Sequence, residues 1–193
     1  MEERQVLEIL EKTGAYLKGH FLLTSGLHSG QFFQCAQLMQ YPEPTALLCS
    51  ELASHWDADK VDAVVGPATG GILLAYELAR LLEARALYAE PVEGKVMELK
   101  RGFKIRPGER ALVVDDVITT GGSVKKVIDV VRERGAEVLG VGALVDRSGG
   151  VSFGVRLTAL VSVEVPNFSA EECPLCKKGL PLEDPDERLA SAT

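Results

Sequence analysis

The residues best suited to chemistry lie in one stretch, Ala111-Leu-Val-Val-Asp-Asp-Val-Ile-Thr-Thr-Gly-Gly-Ser123. Four apolar residues read as a buried strand, two adjacent acids follow, and a hydroxyl- and glycine-rich turn opens a helix. At the carboxyl end of a strand, the next helix presents unsatisfied N–H groups and the positive end of its dipole, which suits a phosphate. Thr119, Thr120 and Ser123 add hydroxyl donors, while Gly121 and Gly122 let the backbone approach an anion with no Cβ between. Asp115 and Asp116 would repel that phosphate and need a different partner. Vicinal ribose hydroxyls, which donate strong hydrogen bonds to carboxylates, supply one. An acid pair after a strand also reads as a helix cap beside a solvated carboxylate, but the adjoining cradle favours the sugar. Other phosphate motifs are missing: there is no G-x-x-x-x-G-K-[ST], and Gly140-Val-Gly142 lies inside a strand rather than at a strand–helix turn.

The elements that must position this stretch follow from periodicity. Apolar residues recur at helical spacing over residues 2–12 (Val6, Ile9, Leu10) and 43–55 (Leu47, Leu48, Leu52). Between them, Gly14 to Leu38 is rich in Gly, Ser and aromatics. Phe21 to Leu23 and Phe32-Phe33 predict short strands about a Ser25-Gly26 turn, a β-rich cap. From Val61 onward strand and helix alternate. Val61 to Val65 leads through Gly66-Pro-Ala-Thr-Gly-Gly71 into a helix bearing Leu74, Leu78 and Leu82. Ala86 to Tyr88 suggests a further strand, and Lys95 to Ile105 a polar excursion or hairpin. Ala111 to Val114 is apolar throughout and should be central. A helix over 122–134 stops at Gly135, and strands follow over 138–145 and 157–165. The pattern predicts an α/β fold with a doubly wound, mainly parallel sheet.

The 111–123 segment resembles the 5-phosphoribosyl 1-diphosphate signature of type I phosphoribosyltransferases, with hydrophobic run, acid pair and Thr-Thr-Gly-Gly-Ser in order. The resemblance extends over nearly the whole chain. It narrows to the orotate phosphoribosyltransferases through Phe21-Leu-Leu-Thr-Ser-Gly-Leu-His-Ser29, Gly66-Pro-Ala-Thr-Gly-Gly71, Lys100-Arg-Gly-Phe103 and Val145-Asp-Arg-Ser-Gly149. It implies a single domain over 1–193: a small β-rich hood from about 14–40 plus the C-terminal segment, a core of about 43–165, and a flexible lid of about 89–104. It further implies that Asp115 and Asp116 hold ribose hydroxyls and that Thr119 to Ser123 hold the 5′-phosphate. Val117 and Ile118 belong to the same binding segment, and Thr69 and Gly70 lie on the diphosphate side. By the same resemblance Arg147 and Thr119 contact orotate under a hood of Thr24, Ser25, Gly26 and the ring of Phe32 or Phe33, with Phe33 taken as the site residue. For both rings, plain core packing is the competing reading; for Arg147 it is a surface ion pair with Asp146.

The implied reaction displaces diphosphate from the anomeric carbon by a ring nitrogen of orotate. Mg²⁺ is expected as cofactor, bound through substrate oxygens and water rather than by dedicated protein ligands. Lid cations would meet the leaving group, with Lys95, Lys100 and Arg101 as candidates. The chain departs from many relatives in carrying Glu90, Pro91 and Glu93 in the first half of the lid, and Thr24 where some place a lysine. A homodimer is expected, since relatives share the lid between subunits. Two alternatives stay open: transfer to a purine or uracil, and a regulator that senses the phosphoribosyl donor without turning it over.

Bulk properties restrict the remainder. Apolar residues make up 46% and charged residues 25%, and the formal net charge is −7. That balance suits a packed enzyme and disfavours nucleic-acid backbones. The six cations from Lys95 to Arg110 are a local exception that could meet a polyanionic small molecule. No apolar run approaches the roughly 20 residues of a membrane helix, so no membrane partner is expected. The N-terminus opens with Glu2, Glu3 and Arg4 rather than a secretory leader, so the cytoplasm is expected. Four cysteines make no disulfide framework. Cys173-Pro-Leu-Cys176 has the spacing of half a zinc site, yet His20, His28 and His55 stand far away in sequence. The favoured reading there is two thiols packing a tail, and the histidines read as packing or capping residues.

Overall fold

A computed structural model describes residues 1–93 and 96–191. Its centre is a six-stranded sheet in the order β5-β4-β3-β6-β7-β8. The strands are β3 (Ala63–Pro67), β4 (Arg85–Pro91), β5 (Met97–Glu98), β6 (Arg110–Ile118), β7 (Glu137–Asp146) and β8 (Leu157–Ser162). All neighbours run parallel except β5, which returns antiparallel to β4. Helices cover both faces, so the central strands are apolar on both sides. Val64, Leu112, Val114 and Leu144 pack on one face against α1 (Glu3–Lys12), α3 (Pro42–Ala53) and α4 (Gly71–Leu81). Val65, Val113, Val141 and Ala143 pack on the other face against Val124, Val127, Ile128 and Val131 of α5 (Gly122–Glu133). The expected doubly wound, mainly parallel sheet is the one observed.

The second sheet has three strands in the order β1-β2-β9: β1 (Tyr16–Leu22), β2 (His28–Phe33) and β9 (Asn167–Phe168), all antiparallel. The C-terminal segment is bound to it, with Glu183 N donating to His20 O at 2.8 Å and Leu22 N to Glu183 O at 3.0 Å. Short helices α6 (Pro174–Lys177) and α7 (Pro185–Ser191) flank these contacts. The cap expected to be β-rich also contains α2 (Ala36–Met39), a turn of helix that the aromatic and glycine-rich composition around it conceals.

Chain order creates the crevice. From β3 the chain passes through α4 to β4 on one side, then crosses to β6 on the other side of β3 and continues through α5. Adjacent strands thus send their loops to opposite faces, and the carboxyl ends of β3 and β6 diverge. Ligands of open α/β sheets bind at such a point.

The sheet depends on β6, whose Leu112 is fully buried between α-helical layers. Leu112→Ala is expected to destabilise the protein by about 2–5 kcal/mol through lost burial and the remaining cavity. Urea unfolding followed by the fluorescence of Trp56, the one tryptophan, checks it; a change below about 1 kcal/mol would mean that the site collapses without loss.

Candidate active site at the carboxyl ends of strands 3, 6 and 7

The sequence places the acid pair at the end of β6, and the structure shows why the pair is charged with difficulty. Burial, followed by repulsion from Asp116, pushes the Asp115 carboxyl well above the ordinary carboxylate range. Burial likewise raises Asp116, against the lowering effect of Val117 N, which donates to Asp116 Oδ1 at 2.8 Å. Asp116 N donates to Asp115 Oδ1 at 3.1 Å, so the two carboxyls are held in one backbone-defined arrangement. The loop after β3 packs directly against them. A Cβ on Gly70 would stand 2.8 Å from Asp116 Oδ1, so only glycine lets this loop, with its cis Ala68–Thr69 peptide, lie so close.

The cradle follows. Gly121 is the residue before α5, at φ 72°, a left-handed conformation that glycine adopts without strain. Among the described residues no side chain caps the start of α5 that follows. Thr119, Thr120 and Ser123 are exposed. Gly122 N has a 3.4 Å contact to Thr120 Oγ1, leaving the helix terminus open to an anion. Val117 and Ile118, expected within the binding segment, face inward instead: Ile118 is 1% exposed in the core and Val117 packs on the opposite cluster. Strand alternation leaves them backbone roles only, such as Ile118 O accepting from Arg147 N at 2.9 Å.

Beside the cradle opens a cavity of about 650 Å³, lined by Thr24, Ser25, Gly26, Phe32, Thr119 and Arg147 among others. Its size suits a small ligand. Arg147 follows directly on β7, and its Nη2 is 3.4 Å from Asn167 Oδ1, a weak contact. The alternative of an ion pair with Asp146 is not what forms: Asp146 Oδ1 accepts from Ser148 N at 2.9 Å. Among the described residues Arg147 makes no ion pair, and loss of water alone lowers its pKa. A half-desolvated guanidinium without a counter-charge is the strongest anion-attracting feature of the cavity. Asp184 and Asp186 also line it; Asp184 is engaged in capping α7, with Oδ1 accepting from Asp186 N at 2.8 Å. Phe33, taken from sequence as a cavity residue, is instead core, stacked on Tyr16 with centroids 4.6 Å apart. Phe32 holds the cavity position because neighbours in β2 face opposite ways.

On the other side of the acid pair, Ala68, Thr69, Glu90, Pro91, Lys100 and Arg101 line a second, open cleft of about 660 Å³. Thr69 also lies beside Gly70 and Asp116 in a third hollow. Arg101 reaches Glu90 Oε1 at 2.7 Å in an ion pair that is largely exposed on the arginine side. Lys95, the third lid candidate, lies outside the described residues.

The exposed hydroxyls before α5, the cavity holding Arg147 and the cleft holding Lys100 and Arg101 thus lie at the loops that follow β3, β4, β6 and β7. The model of the phosphoribosyl transferase domain matches residues 43–154, a span containing β3, β6, the acid pair and the turn before α5. The chain belongs to the phosphoribosyltransferase family. It is 53% identical over 189 residues, 97% of this chain and 99% of the other, to the orotate phosphoribosyltransferase of Caldanaerobacter subterraneus subsp. tengcongensis. To that of Thermotoga petrophila it is 52% identical over 184 residues, 95% and 98% of the two chains. The crystal structure of orotate phosphoribosyltransferase from Aeropyrum pernix matches with a TM-score of 0.69 at 32% identity, over 82% of this chain and 94% of that one. An adenine phosphoribosyltransferase from Rhodothermus marinus shares the fold with a TM-score of 0.62 at 23% identity, over 83% and 99% of the chains. Orotate and adenine phosphoribosyltransferases thus share this fold, and the fold by itself does not select the base.

The raised pKa of Asp115 has a stability consequence. Its folded-state pKa exceeds the unfolded value, so the stability present below the ordinary carboxylate pKa near 4 is progressively lost as the pH rises toward the folded value. Asp115→Asn removes this loss. The unliganded variant is expected to gain stability over the parent at pH 8, on the order of 1 kcal/mol after solvent screening at the open mouth, and much less at pH 4.5. Thermal unfolding at the two pH values checks this; an equal difference at both would show that Asp115 ionises freely.

Proposed function

We propose that this phosphoribosyltransferase moves the 5-phosphoribosyl group from 5-phosphoribosyl 1-diphosphate to orotate, giving orotidine 5′-monophosphate and diphosphate, a step of pyrimidine nucleotide synthesis. The observation that carries the choice of base is Arg147, half-desolvated and without an ion pair among the described residues, in the cavity that Thr119 joins to the phosphate cradle. Orotate carries a carboxylate; uracil and the purine bases give no reason to leave a guanidinium unpaired there. Relatives over nearly the full length that bear the orotate name support the same reading.

In this reading Thr119, Thr120, Gly121, Gly122 and Ser123 hold the 5′-phosphate, and Asp115 and Asp116 accept from the ribose hydroxyls. Thr69 and Gly70 face the diphosphate. The base stacks against Phe32, beneath backbone groups of Thr24, Ser25 and Gly26. The bond from C1′ to the diphosphate oxygen breaks as the bond to the orotate ring nitrogen forms, and that nitrogen gives up its proton. Positive charge grows on the ribose ring next to the acid pair, and negative charge on the diphosphate near Lys100 and Arg101. Catalysis then rests on positioning and electrostatics. An exposed ion pair such as Arg101–Glu90 is worth about 0–1 kcal/mol, little enough for diphosphate to compete for the arginine. Lys95 shares this lid role by family resemblance.

Mg²⁺ is the cofactor in this proposal, supplying charge neutralisation to the diphosphate when bound. The ion would be held mainly by substrate oxygens and water rather than by dedicated protein ligands. The reaction's phosphorylated substrates fit the cytoplasm, and no helix among the described residues is long and apolar enough to cross a membrane. A homodimer completes the proposal, supported by Leu73 and Tyr76, exposed one turn apart on α4 at 55% and 64%. The assignment is read by orotate consumption with 5-phosphoribosyl 1-diphosphate and magnesium, beside uracil, adenine and hypoxanthine. Orotate alone is expected to turn over, and Arg147→Ala is expected to lower kcat/KM by about 30- to 1000-fold, the loss of a charge-assisted pair. Turnover of another base would keep the cradle and overturn the orotate pocket; binding of the donor without any turnover would favour a sensor.

A further inference from the structure

Four side chains that the reaction does not use converge beneath the hood. His20 lies on β1, His28 begins β2, Cys173 precedes α6 and Cys176 lies within it, so the histidine–cysteine contacts join residues 148 to 156 positions apart. Their Nε2, Nδ1 and Sγ atoms all lie within 4.8 Å of one another. The separations are 3.0 Å for His20 Nε2 to His28 Nδ1, 3.5 Å for Cys173 Sγ to His20 Nε2, 3.6 Å for Cys176 Sγ to His20 Nε2, and 3.2 Å for Cys176 Sγ to His28 Nδ1. His20, His28 and Cys173 are 2%, 5% and 0% exposed.

Hydrogen bonding alone does not account for this arrangement. His20 Nδ1 lies 3.0 Å from Leu180 O, and a carbonyl can only accept, so Nδ1 carries the hydrogen and Nε2 presents one lone pair. If His28 Nδ1 carries a hydrogen and donates to that lone pair at 3.0 Å, the buried Cys173 thiol, 3.5 Å from the same nitrogen, has no ring nitrogen left to accept from it. If His28 Nδ1 instead accepts from the Cys176 thiol at 3.2 Å, two ring lone pairs face each other at 3.0 Å, so either arrangement leaves a buried contact mismatched, which costs free energy. A cation at the centre satisfies all four at once. For tetrahedral zinc, with Zn–N of about 2.0–2.1 Å and Zn–S of about 2.3 Å, the edges between ligand atoms are about 3.3 Å for N–N and about 3.6 Å for N–S. The observed separations fall close to these values. The contact from His20 Nδ1 to Leu180 O is the orienting partner that metal-bound histidines ordinarily have. All four ligand atoms within 4.8 Å of one another fit a single ion, and two thiolates with two imidazoles select Zn²⁺ over the hard cations.

We propose that His20, His28, Cys173 and Cys176 bind one Zn²⁺ ion, a structural site separate from the reaction centre. Four protein ligands leave no open position, so the ion stabilises rather than reacts. It ties both long strands of the hood sheet to the segment that leads to Asp184 and Pro185, which wall the base cavity together with Leu22 and Thr24. The reading of Cys173 and Cys176 as thiols that pack a tail is thereby replaced. The cysteine spacing offered half of such a site, and chain folding brings the distant histidines to complete it.

The test is metal analysis of the full-length protein produced with zinc in the growth medium and purified without chelator or affinity tag. The expected result is one zinc per chain in the parent and loss of most of it in Cys173→Ser and Cys176→Ser. Where a variant fails to fold, Co²⁺ exchanged into the parent keeps the test decisive, because thiolate-to-cobalt charge-transfer bands and intense tetrahedral d–d bands report the S₂N₂ set directly. A parent without zinc whose Co²⁺ form lacks thiolate bands would overturn the site, as would full zinc retention by a folded double serine variant.

Discussion

The placement of two carboxylates against each other at the buried end of β6 is the constraint on which the site depends. The strand is enclosed on both faces, so it cannot turn Asp115 and Asp116 into open solvent, and the loop from β3 closes over them at Gly70. Burial raises both acids. Such a pair is costly in an empty protein and favourable toward a ligand that brings hydroxyl donors and develops positive charge, which describes a ribosyl group under transfer. In the proposed reading the turn before α5 and the cleft of Lys100 and Arg101 near Thr69 each take one phosphate end of the donor.

The sheet topology explains why these parts meet. β3 and β6 are neighbours whose following helices, α4 and α5, cover opposite faces. Their terminal loops diverge and leave a crevice, and β7 delivers Arg147 one residue beyond its end into the same opening. The hood sheet and the C-terminal segment roof it. The cavity that holds Arg147 is thus walled by elements from both ends of the chain, whereas the acid pair and the turn before α5 belong to the central sheet.

Local order determined what could be read from the sequence. Ala111 to Ser123 was legible because a buried strand, an acid pair and a glycine turn act within thirteen consecutive positions, and each residue type has one physical use there. The two apolar faces of β6 were legible for the same reason. The choice between Phe32 and Phe33 was not, because the β1–β2 register shifts between Lys18 and Phe21 and composition cannot fix which ring turns inward. The inward direction of Ile118 was lost because a motif names positions and says nothing of which face each side chain takes. The helix α2 hid among aromatics, and the convergence of His20 and His28 on Cys173 and Cys176 exists only in three dimensions.

The account's central claim is that one ligand spans the α5 cradle, the acid pair and Arg147. A crystal structure of the protein with orotidine 5′-monophosphate tests it most directly. The account predicts the phosphate at Thr119 to Ser123, the ribose hydroxyls on Asp115 and Asp116, and the base carboxylate on Arg147 with the ring beside Phe32. A nucleotide bound with its phosphate elsewhere, or with its base carboxylate turned away from Arg147 toward solvent, would contradict it.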